Sequence, residues 1–170
     1  TDSAYSLWCA RGSLSDGAVV LNGDVVFADR ILAATIPSRS DHSTWLATRA
    51  QPDDDGWMLA LGPDRRVIGL EAVRSGTHTV GGPRFKSAGI LSLSAYTGRR
   101  LAAWLDTAVH EGRANCHFDE ILRRHLAEVE FEGVEIDRSS WAEIDDAGDL
   151  ERARQVFAPA RPRADAGGDA

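Results

Sequence analysis

The sequence predicts an α/β protein whose sheet mixes parallel and antiparallel strands, and three observations lead to this prediction. Short apolar runs alternate along the chain with segments of helical periodicity, which is the pattern of α/β proteins. The run at 18–21 (AVVL) is continuously apolar, as is typical of a strand buried on both faces in a parallel sheet. Strand-like runs at 43–49, 57–62 and 66–73 follow one another closely, which indicates a meander and therefore antiparallel pairing.

Two helices and a loop complete the first half of the chain. Residues 2–13 predict a short helix that precedes the strand at 18–21. Residues 29–36 predict a second helix, which Pro37 ends because a proline ring cannot continue a helix. Residues 74–84 contain three glycines and a proline and therefore predict a loop.

The second half begins with a predicted strand at 87–94. The helix that follows is marked by apolar residues at helical spacing and is ended by Gly112. These apolar residues are Leu101, Trp104, Leu105, Ala108 and Val109. The remaining predicted elements are a helix from Phe118, an alternating strand at 129–136, a short strand at 141–144 and a last helix that ends at Phe157.

The whole chain of 170 residues suits a single domain, which we place at 1–157. Residues 158–170 are rich in proline, alanine and glycine and are predicted to form a disordered tail. Cys9 and Cys116 lie far apart and form no CxxC pair, which argues against a disulfide framework or a zinc site.

The charge of the chain limits its partners. A formal net charge of -7 repels phosphate backbones, so nucleic acid is not expected as a partner. No apolar run approaches the ~18 residues of a membrane span, and no signal peptide is visible, so we expect no membrane partner and a cytoplasmic location. An acidic balance is compatible with a site that recruits a cation.

Two aspartates are the candidate metal ligands. Asp24 directly follows the strand at 18–21, and Asp145 lies where the strand at 141–144 meets the last helix. In open α/β sheets ligands bind beyond the strand ends, and Mg²⁺ prefers carboxylate oxygens there. The alternatives remain open: Asn22-Gly23-Asp24 could be a simple turn, and an aspartate at a helix start could be a cap. The roles could also be divided, with Asp146 capping the helix and Asp145 binding the metal.

Four further residues are candidates for binding a substrate. Lys86 is the only lysine of the chain and stands beside the glycine-rich loop, where it could meet a phosphate or simply be solvated. Phe118 and Asp119 together at a helix start could form a corner that binds a cation, or could be a core residue and a helix-start acid. Trp57 could line a pocket or pack within the sheet.

Several segments together resemble the acceptor-side half of the nucleotidyltransferases that transfer NMP from an NTP to a sugar phosphate or to phosphocholine. The run VVLNGDVVF at 19–27 resembles the strand that carries a metal aspartate in that family, and WAEIDDAGDLERA at 141–153 resembles its C-terminal strand, second metal aspartate and closing helix. DSAYSLWCAR at 2–11 and SAGILSLS at 87–94 resemble neighbouring elements of the same fold. The runs at 56–70 and 117–122 are similar to the branch that acts on small phosphorylated amines or phosphonates.

The resemblance implies a Rossmann-like nucleotidyltransferase fold, with Asp24 and Asp145 as Mg²⁺ ligands and catalytic residues. It also implies that Trp57, Phe118 and Asp119 contact the acceptor, and Lys86 is a further candidate for substrate binding. The expected reaction transfers NMP, with CMP favoured, from an NTP to a small phosphorylated or phosphonate acceptor or a sugar phosphate, and releases pyrophosphate.

The family's N-terminal strand–loop–helix unit, with its LAAGxGxR-type glycine-rich loop and a following lysine, is not found in this sequence. We therefore expect a domain that is incomplete at its N-terminus and inactive on its own. One hypothesis is a nucleotidyltransferase half, which is either a fragment of something longer or one member of a split pair whose other chain supplies the nucleotide-binding half. The alternative hypothesis is a non-catalytic remnant or binding module with the same fold.

Overall fold

A computed structural model describes residues 2–35, 42–74 and 84–157 of the chain. The predicted helix end at Pro37, most of the predicted loop at 74–84 and the predicted tail at 158–170 lie outside these described residues. None of the helices in the described ranges is both long and apolar enough to cross a membrane.

The helices and strands follow the predicted order. The helices are α1 (Ser3–Cys9), α2 (Asp29–Thr35), α3 (Ala95–His110), α4 (Phe118–His125) and α5 (Ala147–Phe157). The strands are β1 (Ala18–Leu21), β2 (Val25–Phe27), β3 (Ser43–Arg49), β4 (Gly56–Leu61), β5 (Val67–Val73), β6 (Arg84–Leu93), β7 (Phe131–Glu135) and β8 (Trp141–Glu143). The prediction did not include β2 as a separate strand, and it gave β6 three residues too few at its start.

The main sheet has the order β5-β4-β6-β3-β7, and β1 also pairs with β6. The meander prediction is correct for the β4–β5 hairpin and wrong for β3, because β6 lies between β3 and β4. Every residue of β6 except the first is buried, so this strand takes the centre of the sheet. The mixed sheet is confirmed, since β3 pairs parallel with β7 and the other pairings are antiparallel.

Strand β1 does not have the environment that its apolar run predicts. It pairs antiparallel with β6, and Val20 is buried while Val19 and Leu21 are 37% and 43% exposed. The expectation of a parallel strand buried on both faces is therefore wrong. Val20 packs into the core, and its apolar neighbours Val19 and Leu21 reach the surface.

The sheet is covered differently on its two faces. Helices α1, α3 and α4 pack on one face over a large core that contains Trp45, Leu101 and Phe131. The opposite face carries a smaller core around Leu46, Ile90 and the residues of α2, β2 and β8, where β2 and β8 form a separate two-stranded sheet. Helix α3 begins after Ser94, whose side chain accepts a hydrogen bond from the backbone N–H of Thr97.

A bulge in β6 lies between the stretch of β6 that pairs with β1 and the stretch that pairs with β4. Leu46 of β3 pairs with Ile90, but the next residue, Ala47, pairs with Ser87, so two residues of β6 have no partner at this point. On the other edge, β1 pairs with the stretch 90–93 of β6 and β4 pairs with the stretch 84–86. The gap between β1 and β4 therefore opens beside the bulge.

Candidate functional site

A cavity of about 790 Å³ lies at this gap. Its lining comes from the end of β1, the start of β4, the middle of β6, the start of α4 and the end of β8. All six candidate residues from the sequence line it, although they are spread over more than 120 positions of the chain: Asp24, Trp57, Lys86, Phe118, Asp119 and Asp145.

The bulge fixes the shape of the cavity through Gly89. This residue has φ +67°, a conformation that strongly favours glycine, and its carbonyl accepts a hydrogen bond of 2.9 Å from the Asn22 backbone N–H. A Cβ atom at position 89 would lie 2.8 Å from the Asn22 side chain. Glycine at 89 thus lets the turn after β1 approach β6 closely and sets the position of Asp24.

The two candidate metal ligands stand at neighbouring strand ends. Val25 pairs with Glu143 in the β2–β8 sheet, and beyond this pair the Ile144 backbone N–H donates to the Asp24 carbonyl at 2.9 Å. Asp24 and Asp145 therefore flank one end of a short antiparallel ladder, both exposed and both lining the cavity.

The cap at the start of α5 leaves the Asp145 side chain available. The Asp146 carboxylate accepts a hydrogen bond of 2.9 Å from the Asp149 backbone N–H. The Asp149 carboxylate in turn accepts from the backbone N–H groups of Asp145 and Asp146, both at 3.2 Å. The side chains that cap the helix are thus those of Asp146 and Asp149, and the Asp145 side chain is not one of them.

The donor set at this end suits a metal that takes few protein ligands. Among the described residues, no group of three or more His, Cys, Asp or Glu side chains could hold a metal ion. Zinc or calcium sites built from protein side chains need more ligands than the pair Asp24 and Asp145. Mg²⁺ commonly takes one or two carboxylates and completes its shell with water and substrate phosphates, so these two residues could hold it.

A second part of the cavity, next to the two aspartates, is built around Lys86, which is buried. Its Nζ lies 2.8 Å from Glu143 Oε2, 3.9 Å from Asp55 Oδ1 and 5.9 Å from the centre of the Trp141 ring. Lys86 is therefore not a solvated surface lysine. Its ammonium is held by two carboxylates and one aromatic face.

Asp119 is the buried acid of the cavity. It is 4% exposed, and burial raises its pKa to about 7, with the nearby Glu143 charge adding to the rise. Its own backbone N–H and the neighbouring His117 act in the opposite direction on this pKa. Phe118 beside it is also buried, and it lies in both the core and the cavity wall.

The sequence prediction missed Glu143, Asp55 and Gly89. A signal for Glu143 was present, because period-2 alternation in β8 places it on the same face as Trp141, and the structure brings Lys86 against both. Nothing in the sequence indicated the bulge at Gly89, since it depends on the register between β3 and β6.

This layered sheet, with its cavity at the strand ends, is the fold of the nucleotidyltransferases, which confirms the resemblance in the sequence at the level of fold. The CTP:phosphocholine cytidylyltransferase from Streptococcus pneumoniae is 18% identical with a TM-score of 0.76, and the match covers 91% of this chain. A Bacillus anthracis protein described as a glucose-1-phosphate thymidylyltransferase is 15% identical with a TM-score of 0.67 and 90% coverage. The inositol-1-phosphate CTP transferase from T. maritima is 14% identical with a TM-score of 0.64 and 91% coverage.

The chain spans only part of these structures, with matches over 63%, 59% and 60% of their respective lengths. No protein-family model matches the sequence, and no curated protein matches it. The comparisons therefore establish the fold alone.

Proposed function

We propose that this chain provides the acceptor and metal half of a nucleotidyltransferase that transfers NMP from an NTP to a small phosphorylated or phosphonate acceptor or a sugar phosphate. The observation that supports this most strongly is the convergence of six separately chosen residues on one cavity. CMP is the favoured group, because two of the three similar structures are named for CTP-dependent transfer.

In the proposed reaction an oxygen of the acceptor phosphate attacks the α-phosphorus of the NTP. A new P–O bond forms there, the bond to the β-phosphate breaks, and pyrophosphate leaves. No covalent enzyme intermediate is needed, so the residues of the cavity act by positioning the reactants and by stabilising charge.

Asp24 and Asp145 are the proposed ligands of Mg²⁺, and both are exposed and line the cavity. The ion would supply positive charge that neutralises the phosphate oxygens during transfer. The backbone hydrogen bond between Ile144 and Asp24 keeps the two strand ends together, and so preserves the spacing of the two carboxylates.

Trp57, Lys86, Phe118 and Asp119 are the proposed acceptor-binding residues. They lie on β4, β6 and α4, elements that pack into the large core, so this end of the cavity is formed without a ligand. The acceptor would place its headgroup among these side chains and extend its phosphate toward Asp24 and Asp145.

In this proposal the glycine-rich nucleotide-binding part comes from outside this sequence, either from the same polypeptide or from a separate chain. Within the described residues, β1 pairs with β6 alone, which leaves its other edge without a neighbouring strand. An unpaired edge next to the exposed side chains of Val19 and Leu21 could accept a further strand. A non-catalytic binding module with the same fold remains the alternative, and it would need neither metal nor a second part.

A direct test measures pyrophosphate release by the purified chain with Mg²⁺, each of the four NTPs, and a pool of phosphocholine, aminoethylphosphonate and sugar 1-phosphates. We expect no turnover by the chain alone, because the triphosphate has no cradle. Turnover that Asp24→Asn abolishes would support the activity, and would show that no separate part is needed.

Metal binding tests the proposal without turnover. We expect Mn²⁺, used as a paramagnetic probe for the Mg²⁺ site, to bind Asp24→Asn and Asp145→Asn at least about tenfold more weakly than the unchanged chain. Asp16→Asn is the matched control, because Asp16 is exposed and does not line the cavity. Equal affinity in all four proteins would reject the metal site and favour the non-catalytic alternative.

A further inference from the structure

The surroundings of the Lys86 ammonium form a site for a cation. A hydrogen-bonded carboxylate at 2.8 Å, a second carboxylate at 3.9 Å and an aromatic face at 5.9 Å are the groups that bind an alkylammonium ligand. Here the chain fills that site with its own side chain. Lys86 reaches it from the central strand β6, and its side chain is only 11% exposed.

The pair with Glu143 leaves this end of the cavity with little free negative charge. The Glu143 charge is balanced by Lys86, and Asp55, with a side chain that is 62% exposed, is screened by solvent. Asp119 has its pKa raised to about 7 by burial, so near neutral pH its carboxyl is only partly ionised. A carboxyl in that state can donate or accept a hydrogen bond.

The same pair keeps Lys86 away from a phosphate. The charge of the ammonium is already offset by Glu143 at 2.8 Å, so a phosphate that approached Lys86 would gain little attraction. The acceptor phosphate therefore belongs beside Asp24 and Asp145, which lie just beyond Val25 and its partner Glu143 on the β2–β8 ladder, and the headgroup of the acceptor meets Lys86.

We infer that Lys86 determines acceptor specificity: by occupying the cation site formed by Glu143, Asp55 and Trp141, it selects a phosphorylated acceptor with an uncharged polyhydroxyl headgroup, a sugar or polyol phosphate, over a phosphorylated amine. This inference rests on the proposed function, because it concerns the acceptor end of the same cavity. Hydroxyl groups can hydrogen-bond to Lys86, Glu143 and Asp119, whereas a cationic headgroup would have to displace the ammonium from its carboxylates.

The test is a binding competition on the full chain with Mg²⁺, using glucose 1-phosphate and phosphocholine as probes and ligand-detected NMR or calorimetry as the readout. We expect the unchanged chain to bind glucose 1-phosphate at least about tenfold more tightly, which corresponds to one charge-assisted hydrogen bond. Lys86→Met, similar in length and uncharged, should raise the affinity for phosphocholine about tenfold and lower that for glucose 1-phosphate. Lys86→Arg keeps the positive charge and should keep the original preference.

Glu143→Gln is a second test variant, to be used if Lys86→Met does not fold. It leaves the Lys86 charge without its closest partner, so phosphocholine should bind still more weakly while glucose 1-phosphate changes little. The inference is overturned if the unchanged chain prefers phosphocholine, or if neither variant alters the ratio of the two affinities. If neither phosphate binds in the presence of Mg²⁺, the proposed acceptor site itself is rejected, and the inference with it.

Discussion

The two ends of the cavity are built in opposite ways. At the metal end, Asp24 and Asp145 are exposed and stand on loops beside two strands of three residues each. At the acceptor end, Lys86 and Asp119 are buried, on the central strand and on a helix that packs into the large core. Folding alone therefore orders the side chains of the proposed acceptor end, whereas the proposed metal end would need phosphates and water to complete the shell of an ion.

This difference predicts that substitutions at the acceptor end change folding stability, and that substitutions at the metal end change ligand binding alone. Of four predictions, taken from the largest expected effect to the smallest, the first and the last test this contrast, and the other two test the bulge and the loop before β4.

Asp119→Asn should change the pH dependence of stability. The pKa of Asp119 is about 7 in the folded chain and about 3.8 in the unfolded chain, so the folded state binds more protons between these values. Its contribution to stability is complete below pH 3.8 and is lost as pH rises through 7. At 1.36 kcal/mol for each of about three pKa units, the loss reaches as much as about 4 kcal/mol. Urea unfolding at pH 5 and pH 8 should show this slope in the unchanged chain and not in Asp119→Asn.

The neighbouring Glu120 is a suitable control for that measurement. Hydrogen bonds from Arg123, and then from Arg124, lower its pKa to about 2 against the opposing effect of burial. Its stabilisation is therefore lost only as pH falls from about 4.5 toward 2. Glu120→Gln should leave the slope between pH 5 and pH 8 unchanged. If Asp119→Asn also leaves it unchanged, the buried acid is ionised at neutral pH and the contrast between the two ends is weaker than described.

Gly89→Ala should destabilise the chain by about 3 kcal/mol. The positive φ accounts for about 1 kcal/mol, and the rest arises because the new Cβ meets the Asn22 side chain, including its Cβ at 3.0 Å, so the whole side chain must move. The matched control is Gly112→Ala, where φ is also +67° and nothing lies within 4 Å of the added Cβ. Denaturant midpoints should therefore separate contact from backbone strain. Equal losses in the two variants would show that the turn after β1 does not depend on close approach to the bulge.

Asp54→Asn should cost about 2 kcal/mol at pH 7. Asp54 accepts a two-point hydrogen bond from Arg138 and one of 2.7 Å from the Gln51 backbone N–H, which ties the loop before β4 to the segment before β8. Burial favours a higher pKa for Asp54, but these hydrogen bonds outweigh it and lower the pKa. The stabilisation is present above the ordinary pKa of 3.8 and is lost as pH falls through the lower folded value.

Asp55→Asn is the control for this loop, because Asp55 is the next residue, its side chain is 62% exposed and it lies 3.9 Å from Lys86. It should cost less than about 0.5 kcal/mol. Thermal unfolding of the two variants at pH 7 would sharpen the comparison. Equal losses in the two variants would mean that the hydrogen bonds from Arg138 and Gln51 do not hold the loop.

The sequence predicted the elements well because most of them carry a local signal. The helical spacing from Leu101 to Val109 and the alternation around Phe131 reflect the faces that α3 and β7 bury. The position of β6 between β3 and β4 has no such signal, because it is decided by which strand can be buried on both sides. The prediction of a fully buried strand at 18–21 was wrong for a related reason. Apolar residues at a sheet edge look the same in a sequence as those at its centre.

The site could be predicted only where a residue type and its position in an element sufficed. Asp24, Asp145 and Asp119 could be chosen because carboxylates at strand ends and helix starts are recognisable. The Lys86–Glu143 pair could not, because it joins residues 57 positions apart through the packing of the two-stranded sheet against the main sheet, which no local pattern gives. Sequence reasoning therefore selected cavity-lining carboxylates for the proposed metal end and missed the ion pair that balances the charge of Lys86.

Asp24→Asn and Asp145→Asn, together in one chain, should change the free energy of unfolding by less than about 0.5 kcal/mol in the absence of divalent metal. Both side chains are exposed, and the cap of α5 is made by Asp146 and Asp149 instead. Removing two neighbouring negative charges could even stabilise the chain slightly. Urea unfolding with and without roughly 10 mM Mg²⁺ should show stabilisation by the ion in the unchanged chain and none in the double variant. A loss of several kcal/mol without metal would mean that these aspartates hold the fold together, and the two ends of the cavity would then be alike.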